Sequence, residues 1–301
     1  MHKALIRLTA PLAVALLVFA GAGVLGAEDD IVRIGVITDV HANDADSPAE
    51  GKVMTNYAER LDAFVAAMTA WSADAIIELG DFVNGNFILG AVGDPARIPG
   101  ILEDAVSHIN AFDGPIYHVA GNHDFYDLSL TEYLGILGTE SASYSFDVGG
   151  YHFVVLDAQF NEDGSHYDHA FWRSRGEILS DQLEWLRSDL RGSALPTIVL
   201  IHQPLDSDFD TLVGGPPIAN HLEVRQLLAE TGNVVAVFQG HDHDNAYNLI
   251  DGIHYITFAA MVDHTEPGPP TWAELILDPM EGTIAIVGAG HQASYDLTHA
   301  P

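Results

Sequence analysis

The sequence predicts one α/β sandwich built on a mixed sheet, and three observations carry that reading. Short β-rich apolar runs alternate with helical patterns through the first part of the chain, which is how β–helix–β units read. From His254 onward the candidates are strands alone, so part of the sheet should be antiparallel. The chain has 301 residues, 48% of them apolar. No fixed-period repeat, low-complexity tract or Ser/Gly linker divides them, so residues 28–301 are expected to form a single domain.

In chain order, residues 31–38 read as a strand. Residues 53–71 read as an amphipathic helix carrying Leu61, Phe64, Val65 and Met68 on one face. Residues 75–79 form a second strand, 98–112 a helix and 116–120 a third strand. Gly149-Gly150 reads as a hairpin turn between strands at 144–146 and 151–156. Ser180 caps a helix through Leu190 that Gly192 closes. A strand at 197–201, a helix at 222–230 and a strand at 234–238 follow. Residues 254–258, 273–277 and 283–287 are further strand candidates. Loops at 84–95, 159–177 and 205–219 are long, polar or Gly/Pro-rich, as loops that build substrate pockets often are.

Composition narrows the chemistry. Cysteine is absent, which excludes disulfides, Cys-ligated zinc, iron–sulfur clusters and thiol nucleophiles, and leaves oxygen and imidazole as metal donors. Asp plus Glu number 43 against 11 Lys plus Arg, a formal net charge of −32. Such a surface repels nucleic acid and anionic membranes, which both need basic patches. Self-repulsion on that scale destabilises a compact fold unless salt screens it. The Debye length is roughly 8 Å at physiological ionic strength and roughly 3 Å at 1 M. By analogy with the acidic proteins of halophiles, a saline habitat is expected.

The N-terminus has the pattern of a targeting segment. Lys3 and Arg7 precede an uncharged run from Leu8 to Gly26, and Glu28-Asp29-Asp30 follow at once. Residues 12–20 have the length of a signal-peptide apolar region. Ala20-Gly21-Ala22 offers a small-x-small cleavage site, with a second near Ala27. Residues 1–27 are therefore expected to export the protein to the periplasm or beyond the cell. Left uncleaved, the run is just long enough to anchor it in a bilayer.

Five polar clusters sit just past predicted strand ends: Asp39-Val40-His41, Gly80-Asp81-Phe82-Val83-Asn84, Gly121-Asn122-His123-Asp124, His202-Gln203-Pro204 and Gly240-His241-Asp242-His243. In open α/β sheets the carboxyl ends of strands form the ligand crevice, so these clusters should converge. Each alone is ordinary: Asp-x-His caps helices, and Gly-Asp makes turns. Together they place carboxylate, amide and imidazole donors around cations, a set that suits Mn, Fe or Zn better than soft metals.

In this order the clusters resemble the full motif set of the calcineurin-like metallophosphoesterases, and the similarity covers essentially all of the chain after the targeting segment. Tyr144-Ser145-Phe146-Asp147-Val148-Gly149-Gly150 and Gln182-Leu183-Glu184-Trp185-Leu186 resemble its small-molecule phosphatase branch. The resemblance implies a four-layer α/β/β/α sandwich with mixed sheets. It implies two metal ions (Mn, Fe or Zn), one held by Asp39, His41, Asp81 and His243, the other by Asp81, Asn122, His202 and His241. Asp81 would bridge them, as a two-oxygen carboxylate can and an imidazole cannot.

The implied activity is phosphate ester hydrolysis by a metal-bridging hydroxide between cations about 3.5–4 Å apart. His123, not a ligand in the family, is expected to donate a proton or hydrogen bond to the leaving oxygen. Asp124 reads either as orienting that imidazole and raising its pKa or as a turn or cap residue. The expected partner is a small phosphorylated substrate, with a nucleotide diphosphatase or cyclic nucleotide phosphodiesterase as the alternative. Tyr57 and Arg60 are similar to a feature of relatives that cleave ADP-ribose-like compounds.

A protein Ser/Thr phosphatase would carry arginines where this chain has Asn84-Gly85 and Phe125. A purple acid phosphatase would carry a tyrosine ligand where it has Phe82 and Val83. A non-catalytic metal- or phosphate-binding module would be expected to lack His123 or a ligand, and none is missing. Asn84 reads either as support behind the ligands or as a turn residue. His108, His118, His152 and His254 fall within helix or strand patterns and read as satisfied imidazoles. His166 and His169 share an aromatic loop that could contact substrate.

Overall fold

A computed structural model describes residues 31–47, 51–85, 94–170, 175–208, 216–262 and 269–299. The segment at residues 1–27 lies outside them, as do parts of the three long loops. β1 (Val32–Ile37), α1 (Tyr57–Trp71), β2 (Ala75–Glu78), α2 (Ile98–Ile109) and β3 (Ile116–His118) form two β–helix–β units with parallel pairing. After α3 (Leu130–Leu137), β4 (Tyr144–Val148) and β5 (Tyr151–Val155) make the expected hairpin. α4 (Ser180–Gly192), β6 (Thr197–Leu200), α5 (His221–Thr231) and β7 (Val234–Gln239) follow. The chain ends in β8 (Ala246–Ile250), β9 (Ile253–Thr257), β10 (Trp272–Asp278), β11 (Thr283–Ala289) and β12 (Tyr295–Thr298).

These strands form two six-stranded mixed sheets, ordered β12-β11-β10-β1-β2-β3 and β4-β5-β6-β7-β9-β8. Strand periodicity sorts the layers. Val32, Ile34 and Val36 of β1 meet Tyr151, Phe153 and Val155 of β5 in a core between the sheets. The intervening Val154, with Val199 and Val237, turns outward onto Leu183, Leu186 and Leu190 of α4 and Val224, Leu227 and Leu228 of α5. On the far side Leu61, Phe64, Val65 and Met68 of α1 pack with α2, α3 and Ile76. Each such fully buried side chain is worth about 1.5–3 kcal/mol, enough to hold a short helix that would fray alone. Helices thus cover both outer faces, which makes the four-layer α/β/β/α sandwich.

Some boundaries differ from the periodicity. α1 begins at Tyr57 rather than Val53 because Asp46 accepts the backbone N–H of Met54 and Thr55, at 2.9 and 3.1 Å, and keeps them in a loop. Leu179, not Ser180, stands at the cap of α4. α3, β8 and β12 were not expected. α3 is short and contains Gly135, although its capping box of Ser129 and Glu132 is visible in the sequence. β8 and β9 are joined at Asp251-Gly252, both at positive φ, as a tight hairpin turn requires.

Among the described carboxylates only Asp39, Glu78, Asp81, Asp124 and Asp157 are buried, so the acidic excess lies on the surface. No described helix is long and apolar enough to cross a membrane.

Candidate metal centre

The five clusters follow the C-terminal ends of β1, β2, β3, β6 and β7, three from one sheet and two from the other, and the structure brings them together. Backbone bonds staple the loops: Asp39 N–H donates to Gly80 O, His41 N–H to Asp81 O and Gly240 N–H to His202 O, each at 2.9 Å. The segment after β9 closes the array, with Met261 and Val262 N–H on the carbonyls of Thr38 and Asp39 and Ala260 N–H on that of His243.

This convergence strains the backbone. Asp39, His41, Asp81, His241 and His243 hold φ of 52°, 48°, 55°, 72° and 65°. Left-handed non-glycine residues cost about 1–3 kcal/mol each and persist where surrounding structure enforces them, often at functional sites. The motif glycines are steric necessities. A Cβ on Gly121 would strike the backbone and carboxylate of Asp81, and one on Gly240 the Thr38 hydroxyl and Asp39 carboxylate.

Within this frame, donor atoms face one another. His41 Nε2 lies 3.0 Å from His243 Nε2, 3.6 Å from Asp39 Oδ1 and 3.7 Å from Asp81 Oδ2. His243 Nε2 is 3.3 Å from Asp39 Oδ1, and His202 Nε2 is 3.1 Å from Asp81 Oδ2. His241 Nδ1 is 3.1 Å from Asn122 Oδ1. Asp39, His41 and His243 form one group that could hold a metal ion, and Asp81, His202 and His241 another, with donor atoms within 4.8 Å of one another. His41, Asp81 and His123 make a third such group.

The tautomers are set from behind. His41 Nδ1 lies 2.8 Å from Asn84 Oδ1, and His202 Nδ1 lies 2.8 Å from Leu79 O. Both acceptors place a proton on Nδ1, which directs each Nε2 inward. Asn84 therefore stands behind a candidate ligand and is more than a turn residue. Asp39 Oδ1 and His202 Nε2 are buried and make no well-aligned hydrogen bond, although His243 Nε2 and Asp81 Oδ2 lie close to them. Buried polar atoms of this kind call for a missing partner, and a cation would satisfy both, so the residues fit the metals expected of them.

Electrostatics agree. Burial raises the Asp39 carboxyl pKa, but His243 and His202 outweigh it and hold it well below the carboxylate range. Asp81 is likewise lowered against burial, by His202, His123 and His41. Burial opposes charge on His202 too, yet Asp81 and Asp39 push it up to about 10. Burial pushes His243 down to about 3 and His123 well below its ordinary value.

His123 stands beside this group with Nε2 4.0 Å from Asp81 Oδ2 and 3.3 Å from the Tyr126 hydroxyl. Its N–H donates to Asp81 Oδ1 at 2.7 Å. The expectation for Asp124 needs correction. Its oxygens accept Val83 N–H at 3.0 Å and Gly121 N–H at 2.8 Å, while His123 Nδ1 has no hydrogen-bond partner. Burial, with Asp81 and Glu78 nearby, pushes the Asp124 carboxyl well above its usual range. The one-turn 3-10 helix at His123–Phe125 directs adjacent side chains apart, so Asp124 ties the second and third motif loops together instead of orienting the ring.

Two residues that the motifs do not include also reach the site. Tyr126 accepts a hydrogen bond from Asn122 Nδ2 at 3.2 Å, which orients the amide oxygen toward His241. Lys52 Nζ is 3.4 Å from His41 Nε2; its rarity in the chain was the only signal. Tyr57 donates to Asp104 at 2.6 Å, and Arg60 is buried in α1. His108, His118, His152 and His254 all pair with neighbours, respectively Asp62, Glu78, Asp147 with Asp189, and Tyr247 with Thr298. His166 bonds Asp157 and the Tyr167 carbonyl, and His169 bonds Asp168.

The family model for calcineurin-like phosphoesterases matches residues 32–245. A manganese-dependent ADP-ribose/CDP-alcohol diphosphatase from Oryza sativa subsp. japonica is 24% identical, covering 91% of this chain and 96% of its own. A probable cyclic nucleotide phosphodiesterase from Rhodococcus erythropolis is 27% identical, covering 71% of this chain and 67% of its own. A solved dimetal phosphatase from Danio rerio, 19% identical, shares the fold with a TM-score of 0.73 over 90% of this chain and 100% of its own. The matched residues run from β1 past His243 and take in all five clusters; the chain belongs to the calcineurin-like phosphoesterase family of metal-dependent phosphoric ester hydrolases.

Proposed function

We propose that the protein hydrolyses the diphosphate linkage of small ADP-ribose-like or CDP-alcohol-like molecules, using two divalent metal ions with manganese favoured. The observation that carries this reading is the convergence of inward-facing donors around Asp39 and Asp81. Substrate and metal are supported by the similarity to diphosphatases named manganese-dependent, which extends over nearly the full length of both chains.

Asp39, His41 and His243 would hold one ion and Asn122, His202 and His241 the other, with Asp81 shared. Ions so held supply Lewis acidity toward phosphoryl oxygens and activate water near neutral pH. The chain's own residues do the rest. Asn84 and the Leu79 carbonyl keep the His41 and His202 lone pairs directed inward. Tyr126 holds the Asn122 amide and sits against the His123 ring. Burial favours the neutral ring, so it would offer an N–H hydrogen bond that stabilises charge developing on the leaving oxygen, with the proton staying on the ring. Asp124 acts as a positioning residue for the loops.

The test is a metal-reconstituted screen over ADP-ribose, CDP-alcohols, cyclic nucleotides and nitrophenyl esters. Diphosphates should split into two monophosphates with Mn²⁺. Turnover of cyclic nucleotides alone would favour the second reading, which the Rhodococcus erythropolis relative supports. The pattern of residues 1–27 further supports export. Protein recovered outside the cytoplasm should begin near Gly23 or Glu28, and an N-terminus at Met1 on the recovered protein would refute cleavage.

A further inference from the structure

Asn122 and His202, assigned above to the same ion, stand on different sheets. Asn122 follows β3 and His202 follows β6, so no strand ladder fixes one against the other. Two fully buried amides lie between their loops. Gln159 Nε2 donates to Ala120 O and to Gln203 Oε1, both at 2.8 Å, and Gln203 Nε2 donates back to Gln159 Oε1 at 3.0 Å. The Ala120 carbonyl accepts only from an N–H, which sets the orientation of the Gln159 amide, and the reciprocal bond then sets that of Gln203. Ala120 lies two residues before Asn122, and Gln203 directly follows His202.

Gln159 is itself held firmly. Its N–H donates to Asp157 Oδ1 at 2.9 Å, and its carbonyl accepts Tyr167 N–H at 2.8 Å. Gln182 of α4 brackets Asp157, accepting its N–H at 2.9 Å and donating to its carbonyl at 2.7 Å. The amide pair thus joins an anchored segment to the loops after β3 and β6, through buried bonds that are costly to leave unmade. The other ligand group has a clasp of a different kind. Ala260 and Val262 N–H, after β9, donate to the His243 and Asp39 carbonyls, each at 3.0 Å. The His202 ring is also tied to β2 through Leu79 O at 2.8 Å. What the amide pair adds is the placement of the Asn122 loop against that ring.

We infer that Gln159 and Gln203 are positioning residues for one metal ion of the two, setting Asn122 against His202, so that each ion position is supported by its own clasp. The pair acts through the loops it joins. The inference rests on the two-ion reading and is independent of which phosphate ester is cleaved.

The test titrates manganese calorimetrically into the metal-stripped full chain, Gln159→Met and the double variant Gln159→Met/Gln203→Met, with thermal unfolding alongside. The parent should take up two ions. In both variants one ion should bind about tenfold more weakly, the low end for groups that support metal ligands, while the other stays within about twofold of the parent. Repeating the titration on His243→Ala, which keeps the Asn122 side, and on Asn122→Ala, which keeps the Asp39 side, identifies the ion. The loss should appear on the first background alone. The double variant separates positioning from burial. Gln159→Met leaves the Gln203 amide short of a partner and should lower the melting temperature, whereas replacing both amides by apolar groups of similar shape should recover much of it. The manganese loss should persist in the double variant. Unchanged affinity, equal weakening of both ions, or recovery of affinity together with stability overturns the inference. Should Gln159→Met fail to fold, the double variant against the parent decides it. Should a background take up no manganese, the titrations without it decide. A parent that takes up fewer than two ions refutes the two-ion reading and the inference with it, whereas two ions with an unselective loss refute the inference alone.

Discussion

Replacing Asn84 by alanine isolates how much of the site's order comes from behind the candidate ligands. Asn84 is fully buried, accepts the His41 Nδ1–H at 2.8 Å and donates its own amide to Gly85 O at 2.9 Å. That pairing leaves His41 Nε2 bare, 3.0 Å from His243 Nε2 and 3.6 Å from Asp39 Oδ1. Alanine removes the acceptor, and the ring can then rotate or carry its proton on Nε2. Losing such a partner costs about 10–100-fold in metal affinity, or about 1.4–2.8 kcal/mol. The buried N–H left without an acceptor lowers folding stability by about 1–3 kcal/mol, and at roughly 2–4 °C per kcal/mol the melting temperature falls by several degrees. Calorimetric manganese titration of metal-stripped protein, alongside thermal unfolding, reads both effects. Asn84→Asp restores an acceptor and should recover most of the metal affinity. The reasoning is refuted if Asn84→Ala titrates like the parent, or if the aspartate variant does no better than alanine.

Three further outcomes follow from the same geometry. His123→Ala should lower kcat by about 10²–10⁴ with metal content intact, and the loss should shrink for acidic leaving groups such as nitrophenolate; an equal loss throughout would indicate positioning instead. Because the acidic excess is on the surface, the melting temperature should rise from about 0.05 to 2 M NaCl beyond its rise in a neutral osmolyte, and a flat NaCl series would contradict this. His152 lies between Asp147 at 2.6 Å and Asp189 at 2.8 Å; burial opposes its charge, but the two carboxylates prevail and raise its pKa. A raised folded-state pKa gives stabilisation that is full below the unfolded value of about 6.5 and lost as pH climbs through the folded one. The stability gap between parent and His152→Gln, about 1 kcal/mol because solvent screens the exposed Asp147, should therefore be larger at pH 6 than at pH 9. A gap that widens with pH would reverse the assignment.

Much of the fold and site was legible because the signals are local. The stripe of Leu61, Phe64, Val65 and Met68 needs only helical periodicity to be read. The five clusters each carry their donors beside the strand that aims them. Some of what escaped, such as α3 with its Ser129 and Glu132 capping box, was local but unread; the rest was set by contacts that an apolar pattern does not record. The Asp46 carboxylate that stops α1 short of Val53 does not enter an apolar pattern. Asp124 sits next to His123 in sequence, yet its oxygens face Val83 and Gly121, a direction that adjacency cannot reveal. Lys52 lies in a loop with no motif at all, and it reaches His41 only because Met54 docks on Ala260 and Val262.

By itself the sequence determined the type of every element except α3, β8 and β12, the donor chemistry without thiolate and the order of clusters along the chain, because backbone propensity and ligand identity are properties of neighbouring residues. Only the tertiary structure decided that β10 inserts between β1 and β11, that the segment after β9 locks two cluster loops together, and that Asn84 and the Leu79 carbonyl set the imidazole tautomers. Those outcomes depend on which groups meet across the two sheets, where burial makes every unpaired donor and acceptor costly, and no local pattern records those meetings.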